Sequence, residues 1–150
     1  RNELEAAKED TRKLFRKDYI ERRLIGILLW QKSLVDQKFD PSRVLQELSK
    51  IWEKEESKIL EEFENSREDL IYEAEIFYGQ GIDLKKEVVE LLSNLREEYI
   101  KDTLRKKMRE LRKAEEVGDK DTSIKILSEC QVLNNQIQEI KNGRLNNIFE

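Results

Sequence analysis

Residues 83–118 read DLKKEVVELLSNLREEYIKDTLRKKMRELRKAEEVG, with no Gly or Pro between Asp83 and Gly118. Apolar residues recur along this run at helical spacing: Val88, Leu91, Leu92, Leu95, Tyr99, Leu104, Met108 and Leu111. Asp83 is placed to cap the free N–H groups at its start. At a rise of about 1.5 Å per residue, 84–117 predicts a helix about 50 Å long. A compact chain of 150 residues has a diameter of only about 38 Å. An unkinked helix of that length does not fit inside one globule. Its first half is apolar enough to join a bundle made by residues 17–81. Its second half is expected to project and to pair with 121–141 as an antiparallel hairpin, because the Gly118-Asp119 turn is short. The expectation is an all-α fold in two parts: a helical bundle at 1–98, then a helical hairpin at 99–150.

Upstream, residues 1–16 are highly charged, with Leu4, Ala7, Leu14 and Phe15 as apolar members. They read as a helix or a linker tail. From Asp18 the pattern sharpens. Ile20, Leu24, Ile27, Leu28 and Leu34 predict a buried helix near 17–35. Phe39-Asp40-Pro41-Ser42 marks a helix start, with Asp40 as cap and Pro41 at the first helical position. Val44, Leu48, Ile51, Trp52, Ile59 and Phe63 then share a face, which the acidic run Glu53 to Glu56 interrupts. Ser66 and Asp69 have capping-box spacing. Leu70, Ala74, Phe77 and Tyr78 follow, and Gly79-Gln80-Gly81 ends that helix. Downstream, Asp121 or Thr122 opens the last helix. Ile126, Cys130, Leu133, Ile137 and Ile140 form a coiled-coil-like seam, and Asn142-Gly143 stops it. No strand-like alternation occurs.

Charged residues make up 41% of the chain and apolar residues 37%, with Gly at 5 and Pro at 1. That balance favours helices beneath an extensive solvated surface. The net charge of −4 supplies no global basic field for nucleic acid. The longest apolar run, residues 24–30, is far short of the roughly 20 residues that span a bilayer. The polar start, Arg1-Asn2-Glu3-Leu4-Glu5, lacks Met and reads as a piece of a longer protein. With one Cys and no His, the chain has no disulfide framework and suits a reducing cytoplasm.

Catalytic signals are weak. Without His the commonest acid–base group is missing, no phosphate-binding glycine loop occurs, and one Cys does not make a zinc site. No catalytic residue, metal or cofactor is expected. The acidic cluster Glu61, Glu62, Glu64, Glu68 and Asp69, extended by Glu73 and Glu75, reads first as a solvated helix face. The basic run Lys101, Arg105, Lys106, Lys107, Arg109, Arg112 and Lys113 reads as a solvated face with partners such as Glu97 for Lys101, or as a contact with phosphates or an acidic partner. Aromatic interleaving is absent, which argues against base stacking. Trp30 and Trp52 are expected in the core, and Cys130 as a small buried apolar residue. Ile124, Leu127 and Val132 lie off the seam. Apolar residues outside a hairpin suggest a surface for a partner, unless the hairpin folds back and buries them.

The last fifty residues carry a recognisable pattern: Leu111-Arg112-Lys113-Ala114-Glu115-Glu116-Val117-Gly118-Asp119, Ile126-Leu127-Ser128-Glu129 and Leu133-Asn134-Asn135-Gln136-Ile137. It resembles the C-terminal region of bacterial DnaG-type DNA primases, where an Ala-Glu…Gly-Asp turn precedes a helix with a Leu-Asn-x-x-(Leu/Ile) signature. Residues 21–29 look like the first core helix of that region, and the resemblance covers about residues 18–141. It implies a helical bundle, a long helix and a terminal hairpin that docks on the N-terminal domain of the DnaB-type replicative helicase. On this basis the chain is expected to be a non-catalytic, monomeric, cytoplasmic bacterial module without direct nucleic-acid binding. Ile124 and Leu127 would be its apolar anchors. Gln131, Asn134, Asn135 and Gln138 would be its polar contacts. The alternative is a self-associating structural domain zipped through the Ile126–Ile140 seam.

Overall fold

The computed structural model describes the backbone of residues 3–150 and the side chains of residues 3–5 and 16–150. The expected apolar roles of Ala7, Leu14 and Phe15 lie outside the described residues. The fold is all-α, and the described residues contain no strand. The helices are α1 (Glu3–Lys32), α2 (Pro41–Trp52), α3 (Glu56–Glu62), α4 (Arg67–Tyr78), α5 (Leu84–Glu116) and α6 (Lys120–Lys141), with a 3₁₀ turn at Glu64–Ser66.

Two compact units result. One comprises Arg1–Leu95 with Asn146–Glu150, and the other Arg96–Leu145. The division falls three residues before the boundary expected from the sequence, and the final five residues group with the first unit. There the Phe149 ring lies 4.8 Å from that of Phe39.

In the first unit, α1 runs as one helix from Glu3 instead of beginning near 17, and it stops at Lys32, short of 35. Ser33 explains the stop. Its N–H reaches the carbonyls of Leu29 and Trp30, and its hydroxyl donates to the Trp30 carbonyl at 2.6 Å. Leu34, expected on the buried face, therefore lies beyond the helix and is exposed. The buried Gln31 side chain accepts a 2.8 Å hydrogen bond from the Lys38 N–H, which ties down the following loop. Leu24, Ile27 and Leu28 of α1 are fully buried, as are Val44 and Leu48 of α2 and Ile59 of α3.

α2 begins as its sequence dictates. Asp40 Oδ1 accepts from the Ser42 N–H at 3.0 Å and from the Ser42 hydroxyl at 2.7 Å, which holds its carboxyl below the ordinary value. Glu53 ends the helix in the left-handed conformation, at φ 53°. The acidic run thus does break the apolar face, leaving Ile59 and Phe63 to follow separately. Trp52 is half-buried; its Nε1 donates to Glu21 Oε1 at 3.2 Å, and its ring stacks on Phe63. Trp30 is half-buried as well, so neither tryptophan is a fully enclosed core residue.

α4 crosses α1 in antiparallel fashion. Arg22 forks both oxygens of Glu73, at 2.9 and 2.6 Å. Four residues further along α1, Gly26 meets Leu70 and Ala74: a Cβ there would sit 2.9 Å from the Leu70 carbonyl oxygen. The expected capping box at α4 does not form. Ser66 makes no side-chain cap hydrogen bond, because the 3₁₀ turn leads directly into the helix and leaves it at φ −103°, ψ 4° instead of in extended backbone. Leu70 and Ala74 are buried, but Phe77 is exposed and not core. It lies over Arg23, whose guanidinium carbon is 3.3 Å from the ring centroid. The turn after α4 uses Gly81 at φ +67°, whereas Gly79, expected to share that role, keeps helical backbone at φ −72°. Asp83 Oδ1 accepts from the Lys86 N–H at 3.3 Å, as a cap for α5.

Candidate functional site

The second unit joins the C-terminal part of α5 to α6. Gly118, at φ +73°, closes α5 by a Schellman-type pattern: the Asp119 N–H reaches back to the Ala114 carbonyl at 2.9 Å. α6 opens at Lys120, slightly earlier than expected. Its cap is Asp119, not Asp121 or Thr122, and accepts from the Thr122 N–H at 3.1 Å and hydroxyl at 2.7 Å. Those bonds hold the Asp119 carboxyl below its ordinary value. Asn142 and Gly143 end α6, with Gly143 at φ +91°.

Ion pairs fix the direction of α6 against α5. Lys107 Nζ lies 2.6 Å from Glu129, and Lys141 Nζ lies 3.8 Å from Glu97. Moving toward the start of α5 moves toward the end of α6, so the two run antiparallel. Leu111, Ala114, Ile126 and Cys130 form the buried seam between them, with Leu104 against it. Ile137 and Ile140 are also buried, while Leu133 is half-buried. Met108, expected on the apolar stripe of α5, is exposed instead.

The six residues singled out as contacts fall together on one face of α6. Ile124, Leu127, Gln131, Asn134, Asn135 and Gln138 are all exposed. The steps 124–127–131–134–138 alternate three and four residues, which winds one stripe along a helix, and Asn135 widens it beside Asn134. Helical arithmetic centres this stripe roughly 120° around the helix from Ile126, Cys130, Ile137 and Ile140, with Asn134 at its edge nearest the seam. Ile124 is 66% exposed and Leu127 53%, so the seam does not absorb them. Val132 is exposed too, but on the other flank of the seam.

Charge separates this face from its neighbour. Of nine exposed positions from 124 to 138, only Lys125 is charged. Of nine exposed positions on α5 from 103 to 116, seven are charged. The basic run is partly neutralised. Lys101 pairs with Glu97 at 3.2 Å, Arg105 with Asp102, and Lys107 with Glu129. The Glu129 hydrogen bond raises the pKa of Lys107, and the same bond lowers that of Glu129. Lys106, Arg109, Arg112 and Lys113 make no ion pair among the described residues.

The acidic cluster does not converge. Glu62 pairs with Lys54 at 2.7 Å and Glu73 with Arg22. Among the described residues, no group of three His, Cys, Asp or Glu is arranged to hold a metal ion. No helix among them is long and apolar enough to cross a membrane. One surface escaped sequence reasoning: Tyr72 and Ile76 stand exposed on α4. Their signal was the four-residue step off the Leu70–Ala74 face.

No protein-family model matches the chain, and neither a curated protein nor a solved structure matches it.

Proposed function

We propose that this chain is a non-catalytic interaction domain of a DnaG-type replicative primase, and that the outer face of α6 docks on the N-terminal domain of a DnaB-type helicase. The observation that carries the reading is the uncharged stripe headed by Ile124 and Leu127. In a chain with 41% charged residues, a long exposed face with almost no charge is unusual. Depletion of charge around apolar anchors is what distinguishes the centre of a protein interface from ordinary surface. The amides of Gln131, Asn134, Asn135 and Gln138 extend the stripe with donors and acceptors for a partner's polar groups.

The partner's identity rests on the resemblance of the Gly118-Asp119 turn and the Leu133-Asn134…Ile137 signature. Ile137 is buried and Leu133 half-buried, so these two support the helix pair, and Asn134 is the exposed member. In this reading the domain acts as a monomer in a bacterial cytoplasm, and it raises the effective concentration of primase at the fork by tethering. The rival, zippering through the seam, requires Ile126, Cys130, Ile137 and Ile140 to be available to a second chain. They are already buried within one.

The test is titration of the intact chain with the helicase N-terminal domain from the same organism. Saturable binding is expected. Leu127→Asp should weaken it at least tenfold, since full burial of a leucine is worth about 1.5–3 kcal/mol, while helical content stays at the wild-type level. Loss of helicity would place Leu127 in the core, and absence of binding by the folded wild type would remove the proposal.

A further inference from the structure

α4 carries a second exposed apolar surface, which the proposed function does not use. Its inward face holds Leu70 and Ala74, and Gly26 lets α1 approach there closely. On the opposite side, Tyr72 and Ile76 stand one turn apart and are 65% and 62% exposed. At about 100° per residue, Glu68, Asp69 and Glu75 surround that pair. All three are exposed, and none makes an ion pair among the described residues. The remaining carboxylate of α4, Glu73, is occupied by Arg22. The only cation on α4 is Arg67. The wider segment 53–75 holds ten carboxylates against three cations.

We propose that this outer face of α4 is a docking surface for an arginine-bearing amphipathic helix of a partner protein. An apolar pair rimmed by carboxylates of one sign is complementary to apolar side chains flanked by cations. Arginine fits better than lysine. Its planar guanidinium both stacks flat on aromatic rings and forks carboxylates, whereas an ammonium group meets a ring only as a point charge and cannot fork a carboxylate. α4 already receives arginine in both ways from α1. Arg22 takes both oxygens of Glu73, and Arg23 lies over Phe77. On the outer face, Tyr72 supplies the ring and Glu68, Asp69 and Glu75 the carboxylates; Asp69 lies near enough to Arg22 to feel its charge, but none of the three is paired with an arginine among the described residues.

The experiment uses the intact, isotope-labelled chain and a synthetic helix with leucines four residues apart flanked by three arginines. Two counterparts carry glutamate or lysine in place of arginine. Amide shifts confined to the α4 region are expected with the arginine helix and none with the glutamate helix. Paired Tyr72→Ser and Ile76→Ser should weaken binding at least tenfold, as should combined Glu68→Gln, Asp69→Asn and Glu75→Gln. Glu55→Gln with Glu61→Gln and Glu64→Gln, which removes the same number of charges off α4, should leave it unchanged. Circular dichroism of each variant verifies folding. Shifts spread over 53–75, or binding untouched by the α4 substitutions, would overturn the proposal. Equal binding of the lysine helix would overturn the choice of arginine. Self-association of the chain that competes with the peptide would hand the face to a second copy and overturn the heterologous partner.

Discussion

Gly26 shows how far a single residue's role depends on contacts distant in sequence. Within α1 it is a liability, since Gly costs about 1 kcal/mol against Ala in a helix interior. Across the crossing it is required, because a Cβ there would come within 2.9 Å of the Leu70 carbonyl oxygen and 3.6 Å of the Ala74 Cβ. The first contact is with backbone, so one of the two helices must shift. Overpacking of this kind costs about 1–3 kcal/mol, which exceeds the gain in helix propensity. Gly26→Ala is therefore expected to lower the denaturant midpoint, where propensity alone predicts a rise. Nothing in residues 24–30 announces this, because the neighbour that makes Gly26 necessary lies more than forty positions away. Asp40 and Pro41 are the opposite case. Their capping chemistry is complete within three residues and was legible from the sequence. Ser66 and Asp69 have equally suggestive spacing, yet the 3₁₀ turn before α4 denies Ser66 the extended backbone a cap needs.

At the scale of elements, the α5–α6 pair is held by a buried apolar seam and a few charges at its edges. The stops at Gly118 and Gly143 and most of the seam were legible, because helix ends and seven-residue repeats are local patterns. Met108 was misplaced because its spacing with Leu104 and Leu111 suits the stripe, and periodicity does not reveal where the partner helix lies. Glu129 and Lys107 give the pair a definite pH window. The Glu129 pKa is depressed in the fold by the Lys107 hydrogen bond. Its stabilising contribution is thus fully present above its ordinary value of 4.5 and lost as pH falls through the depressed folded value. The Lys107 pKa is raised, so its contribution is complete below the ordinary 10.5 and lost as pH rises through the raised value. Between those limits Glu129→Gln should unfold at a lower denaturant concentration than wild type, by a modest margin because the pair is half-buried at the edge of the seam and still reached by solvent. Below pH 4.5 the two midpoints should converge. A difference that persists unchanged into strong acid would mean that the carboxylate charge is not what Lys107 holds.

Across the whole molecule, charge is sorted by segment, and this bears directly on which face engages a partner. Residues 53–75 are strongly acidic, residues 101–113 carry seven cations against two carboxylates, and the exposed stripe of α6 is nearly neutral. The segment charges were visible in the sequence. The neutrality of one face was not, since it emerges only when exposed positions are separated from buried ones. Salt separates the possible binding modes. Contacts through Lys106, Arg109, Arg112 and Lys113 would be screened, because the Debye length shrinks from about 10 Å at 0.1 M salt to about 3 Å at 1 M. Contacts through Ile124, Leu127 and the amides depend on apolar burial and short hydrogen bonds, which salt hardly weakens. The helicase titration is therefore expected to give a dissociation constant that changes less than about threefold between 0.05 and 0.5 M salt. The arginine-helix titration at α4 should weaken several-fold over the same range. Leu127→Asp should impair only the first and Tyr72→Ser with Ile76→Ser only the second. A steep salt dependence of helicase binding that disappears on neutralising Lys106, Arg109, Arg112 and Lys113 would move the docking face from α6 to α5.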